Sequence, residues 1–304
     1  MAVQHSLYHE TGKISVDRER CKLCGVCVKN CAVEVLQIKD EAVRQIDASF
    51  GCVACGHCMM VCPEGCITVS GRNLYLDDLQ SLPSLEDRAD AESLKNLFVA
   101  RRSVRRFKDQ TVEPVLIEQV ISMASSAPMG IPPWDVGVVT INGFEAVRKL
   151  AGEIVEGYRG MLKFFRPNVL KLMRPFMGQA SNDQFKDFIV PLAHKYIEAW
   201  EEGRDAVFWG APTVLIFHHS AYAAEPDAVI ACTYAMLAAE SLGLGNCVIG
   251  GAPPILKRNK ALCTKLGIPT GNQPSLALVL GYSKVPFKRG IVRRFSHEQS
   301  AGLH

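Results

Sequence analysis

The sequence predicts an α+β protein of two unequal domains. Three observations lead there. Residues Cys21–Pro63 carry one cysteine pattern twice, between short alternating segments such as Ile14–Val16 and Ile67–Val69. Beyond about residue 90 the periodicity turns helical, as over Glu113–Ser125, and apolar strands such as Val136–Ile141 and Thr213–Phe217 follow. The 304 residues suffice for one small core and one large one.

Composition sets the outer limits. Hydrophobic residues at 48% and charged residues at 21% are ordinary for a globular chain. Met1–Lys13 has no apolar core and no small-residue cleavage site, so no signal peptide is expected. The most apolar run, Ala228–Gly251, carries Glu240 and several glycines, which reads as a buried helix rather than a membrane span. The expected location is the cytoplasm, with no membrane partner.

The N-terminal pattern is Cys21, Cys24, Cys27, Cys31, then Cys52, Cys55, Cys58, Cys62: Cys-x-x-Cys-x-x-Cys-x-x-x-Cys, twice. With no export signal, eight of the twelve cysteines in this spacing argue for metal rather than disulfides. A cubane needs four thiolates around one centre, and three cysteines at x-x intervals wrap a tight loop around three irons. Zinc knuckles also use Cys-x-x-Cys but have no need of the third cysteine in each run. The reading is two 4Fe–4S clusters passing single electrons. The module closely resembles two-cluster ferredoxins, in which the last cysteine of each run ligates the other cluster. That resemblance implies one cluster on Cys21, Cys24, Cys27 and Cys62, and a second on Cys52, Cys55, Cys58 and Cys31. Pro63 after Cys62 fits the usual ending, whereas Ala32 after Cys31 departs from it without removing a ligand. Cys66 reads as a core residue and His57 as a loop residue.

Around these runs, Ile14–Val16 and Ile67–Val69 are expected to pair, and Val35–Ile38 and Ala42–Ile46 to form a hairpin about Lys39-Asp40-Glu41. The halves repeat at about thirty residues. So small a module needs the clusters as its core. The first domain is placed at 1–72, a linker containing Pro83 at 73–90 with a short helix near Leu76–Ser81, and the second domain at 91–304. A helix should open at Asp90-Ala91-Glu92-Ser93 and run to about Ala100.

The second domain starts with Arg101-Arg102-Ser103-Val104-Arg105-Arg106-Phe107. Guanidinium groups bind phosphate oxygens through paired hydrogen bonds, and a serine hydroxyl adds another. Alone, such a run also suits a solvated face or a nucleic-acid patch. Downstream stand Ala127-Pro128 leading to Pro133-Trp134, Ala211–Ile216, Ala238–Gly245, Ile249-Gly250-Gly251, and Leu280-Gly281-Tyr282 with Lys288-Arg289. In this order, over nearly all of residues 91–295, the pieces resemble the nitroreductase family of FMN flavoproteins. Ferredoxin-like modules fused before such domains are a familiar arrangement.

The resemblance implies an α+β sandwich flavodomain and a homodimer with FMN at the subunit interface. It assigns the FMN phosphate and ribityl chain to Arg101, Arg102, Ser103 and Arg105, with Lys288 and Arg289 closing from the C-terminal side. Pro128, Met129 and Gly130 would touch the flavin bound mainly by the partner subunit. Ile249, Gly250 and Gly251 would run along the reactive edge, where backbone N–H groups approach the ring. Many members have Asn and Gln before the Pro-Trp pair. Here Gly130-Ile131-Pro132-Pro133 lacks both, so that flavin contact comes from elsewhere. No protein residue is assigned as catalytic, because the flavin carries the chemistry. With clusters and flavin phosphate bound, the formal charge of +3 falls to roughly −3, which weakens any case for nucleic acid.

Gly243–Gly251 follows a helix, the wrong order for a dinucleotide fingerprint, and Gly243 reads as a helix C-cap. Met161–Met177 alternates apolar and basic residues, as a packed helical pair or as a lid over the flavin. His218-His219 read as ending a strand, and Cys232, Cys247 and Cys263 as core.

The function these readings predict is an oxidoreductase in which the clusters relay electrons to FMN. The acceptor would be a small oxidised molecule such as a nitroaromatic, quinone or activated alkene, and the donor a ferredoxin or NAD(P)H. The alternatives are an electron-transfer subunit of a larger redox complex, a reductive dehalogenase-type flavoenzyme, and an iron–sulfur nucleic-acid binder.

Overall fold

The computed structural model describes residues 9–46, 51–130, 135–165, 169, 175, 176 and 178–300. In the N-terminal module, β1 (Lys13–Val16) pairs antiparallel with β4 (Ile67–Ser70), Ile14 opposite Val69. The hairpin forms from β2 (Leu36–Lys39) and β3 (Ala42–Gln45), with Asp40 and Glu41 turning the corner at φ 50° and 51°. Two single-turn helices, α1 (Val26–Lys29) and α2 (His57–Met60), each follow the middle of a cysteine run. His57 thus opens α2 rather than lying in a loop, with its side chain exposed. Val35, Leu36, Val43, Ala54, Met59, Ile67 and Val69 make one small core that also takes in Cys52 and Cys58. Two two-stranded sheets bury little by themselves, so the module depends on what its cysteines hold.

Between the domains one 3₁₀ turn spans Leu76–Asp78, and Leu82 and Leu85 stand exposed. Helix α3 (Ala91–Ala100) opens where Asp90 accepts the Ser93 N–H at 2.7 Å, an N-cap that satisfies a first-turn donor. No residue of α3 is buried, although it carries Leu94, Phe98 and Val99.

The large domain is built on a four-stranded antiparallel sheet of order β5 (Val136–Asn142), β6 (Thr213–His219), β8 (Gln273–Gly281), β7 (Gly245–Ile249). Successive side chains alternate between its faces. Ile216 joins a core with Val147, Leu150, Ile154, Tyr158 and Phe208, beneath α5 (Phe144–Phe164) and α7 (Val190–Glu201). Leu215 points the other way, to Val120, Ala231, Ala235 and Leu278, beneath α4 (Pro114–Ser125) and α8 (Glu225–Ser241). Between α5 and α7 lies α6 (Gln179–Gln184) with a π turn at Phe185–Ile189. Two short helices, α9 (Pro253–Leu256) and α10 (Lys260–Lys265), connect β7 to β8.

Two expectations change. The apolar run Ala228–Gly251 is not one helix: α8 ends at Ser241, Gly243 turns the chain at φ 75°, and β7 follows. Among the described residues no helix is long and apolar enough to cross a membrane. His218 and His219 do end a strand, but as its last two residues: β6 runs past Phe217 through a register shift to His219, and both are buried. His218 sits opposite Gly137, where a Cβ would lie 2.3 Å from its ring Cε1, and Asn272 lies 3.0 Å from its Nδ1. The tip of the helical pair, most of 166–177, and the Ile131–Trp134 turn lie outside the described residues.

Burial, reinforced by the charge of His219, pushes the His218 pKa from 6.5 down to about 4. As pH falls, the unfolded chain takes up this proton before the folded one does. Native stability should therefore drop between pH 6.5 and about 4, by about 3 kcal/mol from this group. Urea midpoints at pH 7 and 4.5 should fall less for His218→Gln than for the natural chain; equal falls would exclude His218 as the cause.

Candidate functional site

The repeat seen in the cysteine spacing recurs in the backbone. Leu23 and Ala54 have φ 52° and 54°, and Gly25 and Gly56 have φ 73° and 74°. Glycine suits the second position because it enters the left-handed region without a Cβ penalty. Successive residues in such conformations curl their N–H groups into a concavity that favours negative charge. Four residues after the last cysteine of each run, an N–H points back to sulfur: Val35 N to Cys31 Sγ and Cys66 N to Cys62 Sγ, both at 3.4 Å.

The eight thiols fall into two groups. Cys21, Cys24, Cys27 and Cys62 line one cavity, together with Val16, Lys22, Pro63 and Ile67. The second group is seen in the charges its members exert on one another. Burial, then the like charges of Cys52, Cys55 and Cys31, pushes the Cys58 thiol up to about 12. Burial and Cys55 and Cys31 likewise raise Cys52. Cys31 therefore faces the second run and Cys62 the first. Burial acts upward on Cys62 too, but N–H groups of Cys66, Glu64 and Gly65 and the Cys66 side chain outweigh it and hold Cys62 below its ordinary value.

Among the described residues no three ligating side chains converge on a single ion. Tetrahedral zinc would hold its sulfurs about 4 Å apart. Thiols spread around a cavity fit a multi-iron core. Cys66 is buried as expected, yet it is not remote from this chemistry: its Sγ lies 3.4 Å from Cys62 Sγ. Cys232 and Cys247 are buried in the large domain and Cys263 is half-buried.

In the large domain the arginine–serine run is laced onto the sheet. Ser103 bridges Asn246 of β7, Val104 N–H donates to Asn246 O at 2.8 Å, and Lys108 N–H donates to Tyr282 O at 2.8 Å. Arg101 and Arg102 are half-buried and face Glu240 of α8. Burial pushes the Glu240 carboxyl up, while Arg101, the Asn246 amide and Arg102 act against it. The C-terminal stretch closes here as well, since a Cβ on Gly290 would lie 2.3 Å from the Arg102 guanidinium. Lys288 and Arg289 are thus carried beside Arg102, both exposed. This concentration of cationic groups fits a phosphate.

Arg105 stacks over Trp209 at 5.6 Å. Met129 lines a small cavity with Ile121, Ala124, Val138 and Phe217. Gly130 faces the buried Asp227, and Pro128 is exposed. Ile249 is buried at the end of β7, and a Cβ on Gly250 would meet nothing within 4 Å. Gly251 is held from beneath: Tyr158 Oη donates to its carbonyl at 2.7 Å, and Tyr196 packs edge-on against Tyr158 at 5.4 Å. Burial raises both phenols, so both stay protonated donors. The open edge at Gly250 over a rigid Gly251 fits one side of a planar ring.

Sequence reasoning missed Tyr158, Tyr196 and Asn246, which look like core positions in the chain. Glu240 carried a signal, as the lone acid of the apolar run.

Comparison with known proteins bears on both halves. Residues 99–282 match the Nitroreductase family and residues 13–63 match the 4Fe-4S dicluster domain. An uncharacterized ferredoxin of Methanocaldococcus jannaschii is 36% identical over 58 residues, covering 18% of this chain and 92% of that protein. NAD(P)H-quinone oxidoreductase subunit I of Gloeobacter violaceus is 28% identical over 68 residues, 19% of this chain, and the match spans only 32% of that subunit. A nitroreductase with bound FMN from Desulfitobacterium hafniense superposes with TM-score 0.51 at 21% identity, covering 70% of this chain and 100% of that one. A second, also with bound FMN, from Bacteroides fragilis gives TM-score 0.52 at 18% identity, over 68% and 98%. The superpositions establish a shared fold.

A Cβ on Gly251 would lie 2.6 Å from Tyr196 Oη. Gly251→Ala should therefore lower stability by about 1–3 kcal/mol. Adding Tyr196→Phe, which removes the clashing oxygen, should recover much of the melting temperature. No recovery would place the strain elsewhere.

Proposed function

This chain belongs to the nitroreductase family, and from that premise we propose that it is an FMN-dependent oxidoreductase whose electrons enter through two 4Fe–4S clusters and leave to a small oxidised acceptor. The observation that carries the reading is the grouping of eight thiols into two crossed sets, in one chain with a cationic phosphate cradle and an open glycine edge. Bound FMN would accept electrons singly and pass them on in pairs, to a nitroaromatic, quinone or activated alkene.

The residues divide the work. Cys21, Cys24, Cys27 and Cys62 hold one cluster; Cys52, Cys55, Cys58 and Cys31 hold the other. Arg101, Arg102 and Ser103 bind the FMN phosphate, with Lys288 and Arg289 closing over it. Glu240 and Asn246 orient the arginines from behind. Tyr158 and Tyr196 fix Gly251, so that Ile249, Gly250 and Gly251 present backbone to the ring without shifting. Arg105, two residues after Ser103, is assigned with it to the phosphate and ribityl chain, and Pro128, Met129 and Gly130 to the flavin bound mainly by the partner across a homodimer interface. The exposed apolar side chains Leu94, Phe98, Val99, Ile291, Val292 and Phe295 support such an interface.

Anaerobic stopped-flow with a reduced ferredoxin donor tests the relay. Cluster absorption should bleach first and flavin absorption second, and Cys21→Ala or Cys52→Ala should slow the second phase at least tenfold while FMN stays bound. Flavin reduction by NAD(P)H alone, untouched by these variants, would overturn the relay. Gly250→Val meets no protein atom with its Cβ, so the fold should hold while FMN retention falls about tenfold, ~1.4 kcal/mol. Unchanged FMN content would remove Gly250 from the site.

A further inference from the structure

Arg72 is the only lysine or arginine of the described residues that is buried, at 6% exposure. A guanidinium stays charged at any pH the fold survives. Its Nε donates to Glu10 O at 2.6 Å, and its backbone N–H faces the Glu10 carboxylate at 3.4 Å. Residues 10–12 form a strap that joins it to the second thiol group. On one side, a Cβ on Gly71 would lie 3.4 Å from Gly12 Cα. On the other, Gly12 N–H donates to Cys52 O at 2.8 Å, and a Cβ on Gly12 would lie 2.8 Å from Cys52 Sγ. The strap is thus pressed between Arg72 and the sulfur of Cys52.

The first thiol group has no such neighbour. Lys22 lines its cavity from an exposed position, Arg20 reaches the Glu64 carbonyl from the surface, and Cys24 itself is exposed. Charges in water are screened, whereas a buried charge acts at low effective dielectric. The strap continues outward to His9, whose ring meets Tyr222 of the large domain edge-on at 5.9 Å. Tyr222 N–H donates to Ser220 Oγ, which donates to Asp135 at the start of β5. The Cys52 side of the module therefore carries both the buried cation and the contact with the large domain.

We propose that Arg72 sets the order of the two clusters, raising the reduction potential of the one held by Cys52, Cys55, Cys58 and Cys31 above that of the other. A cluster gains one negative charge on reduction, and an adjacent buried cation stabilises the more negative state. One electron then passes from the reduced Cys21 cluster to the oxidised Cys52 cluster, with no atom transferred. The exposed Cys21 cluster is the inlet, and the Cys52 cluster is the outlet toward the flavodomain. This rests on the reading that the two thiol groups hold 4Fe–4S clusters.

The test is an anaerobic redox titration of the full-length holoprotein followed by EPR. Cys24→Ser, which puts an oxygen ligand on the Cys21 cluster alone, labels which signal is which. In the natural chain the unlabelled cluster should be reduced first, at the higher of two potentials. Arg72→Gln should move that potential to more negative values and leave the labelled cluster in place, and Arg72→Lys should restore most of the shift. Two equal potentials in the natural chain, a shift on the labelled cluster, or no shift in Arg72→Gln would each overturn the proposal. If Arg72→Gln fails to load iron, the order of reduction in the natural chain decides by itself. None of these readouts involves the flavin, so a failed relay and a failed role for Arg72 are separately visible.

Discussion

Thiols that must ionise to bind iron repel one another once they do, and the N-terminal module is organised around that conflict. Its eight cysteines stand in two groups of four, and burial first, then the like charges of their neighbours, push the buried members upward, Cys58 to about 12. With iron the repulsion becomes attraction, and the binding free energy becomes folding free energy for a module with so small an apolar core. The curled backbone at Leu23–Gly25 and Ala54–Gly56, and the N–H groups aimed at Cys31 and Cys62, are the local means of holding the sulfurs in place.

The large domain solves a different problem, which is to bring charges of one sign together at the rim of a sheet. The segment from Ser103 to Lys108 does not follow the helix before it. It is stitched to Asn246 on one edge and Tyr282 beyond β8. That stitching places Arg101 and Arg102 beside Glu240, and a close approach by Gly290 adds the C-terminal cations. On the far end of β7 the tyrosine pair gives Gly251 a rigid floor. The arginine cluster and the tyrosine-backed Gly251 thus sit at the two ends of one edge strand, β7.

Much of this was legible along the chain because the signals are local. Cys-x-x-Cys loops, the Asp90 cap, the Lys39–Glu41 hairpin turn and the Gly243 turn all act within a few residues, and each appears where it was expected. His218 and His219 end the strand as expected, but inside it, because pairing with β8 carries β6 two residues past Phe217 through a bulge. Tyr158, Tyr196 and Asn246 were passed over because a helix face or an edge strand makes them look like packing. Arg72 gave no signal, standing as one arginine after a short strand.

Spacing and motif order carry the family and the dicluster module along the chain, since both survive without coordinates. Which groups meet is settled in three dimensions. Arg72 and Cys52 meet the same strap because β4 returns against β1 and lays residues 10–12 between them. Tyr158 reaches Gly251, ninety-three positions away, because α5 packs on the sheet of which β7 is an edge. Contacts of that range are set by strand order and layer packing, and no local pattern in the chain encodes them.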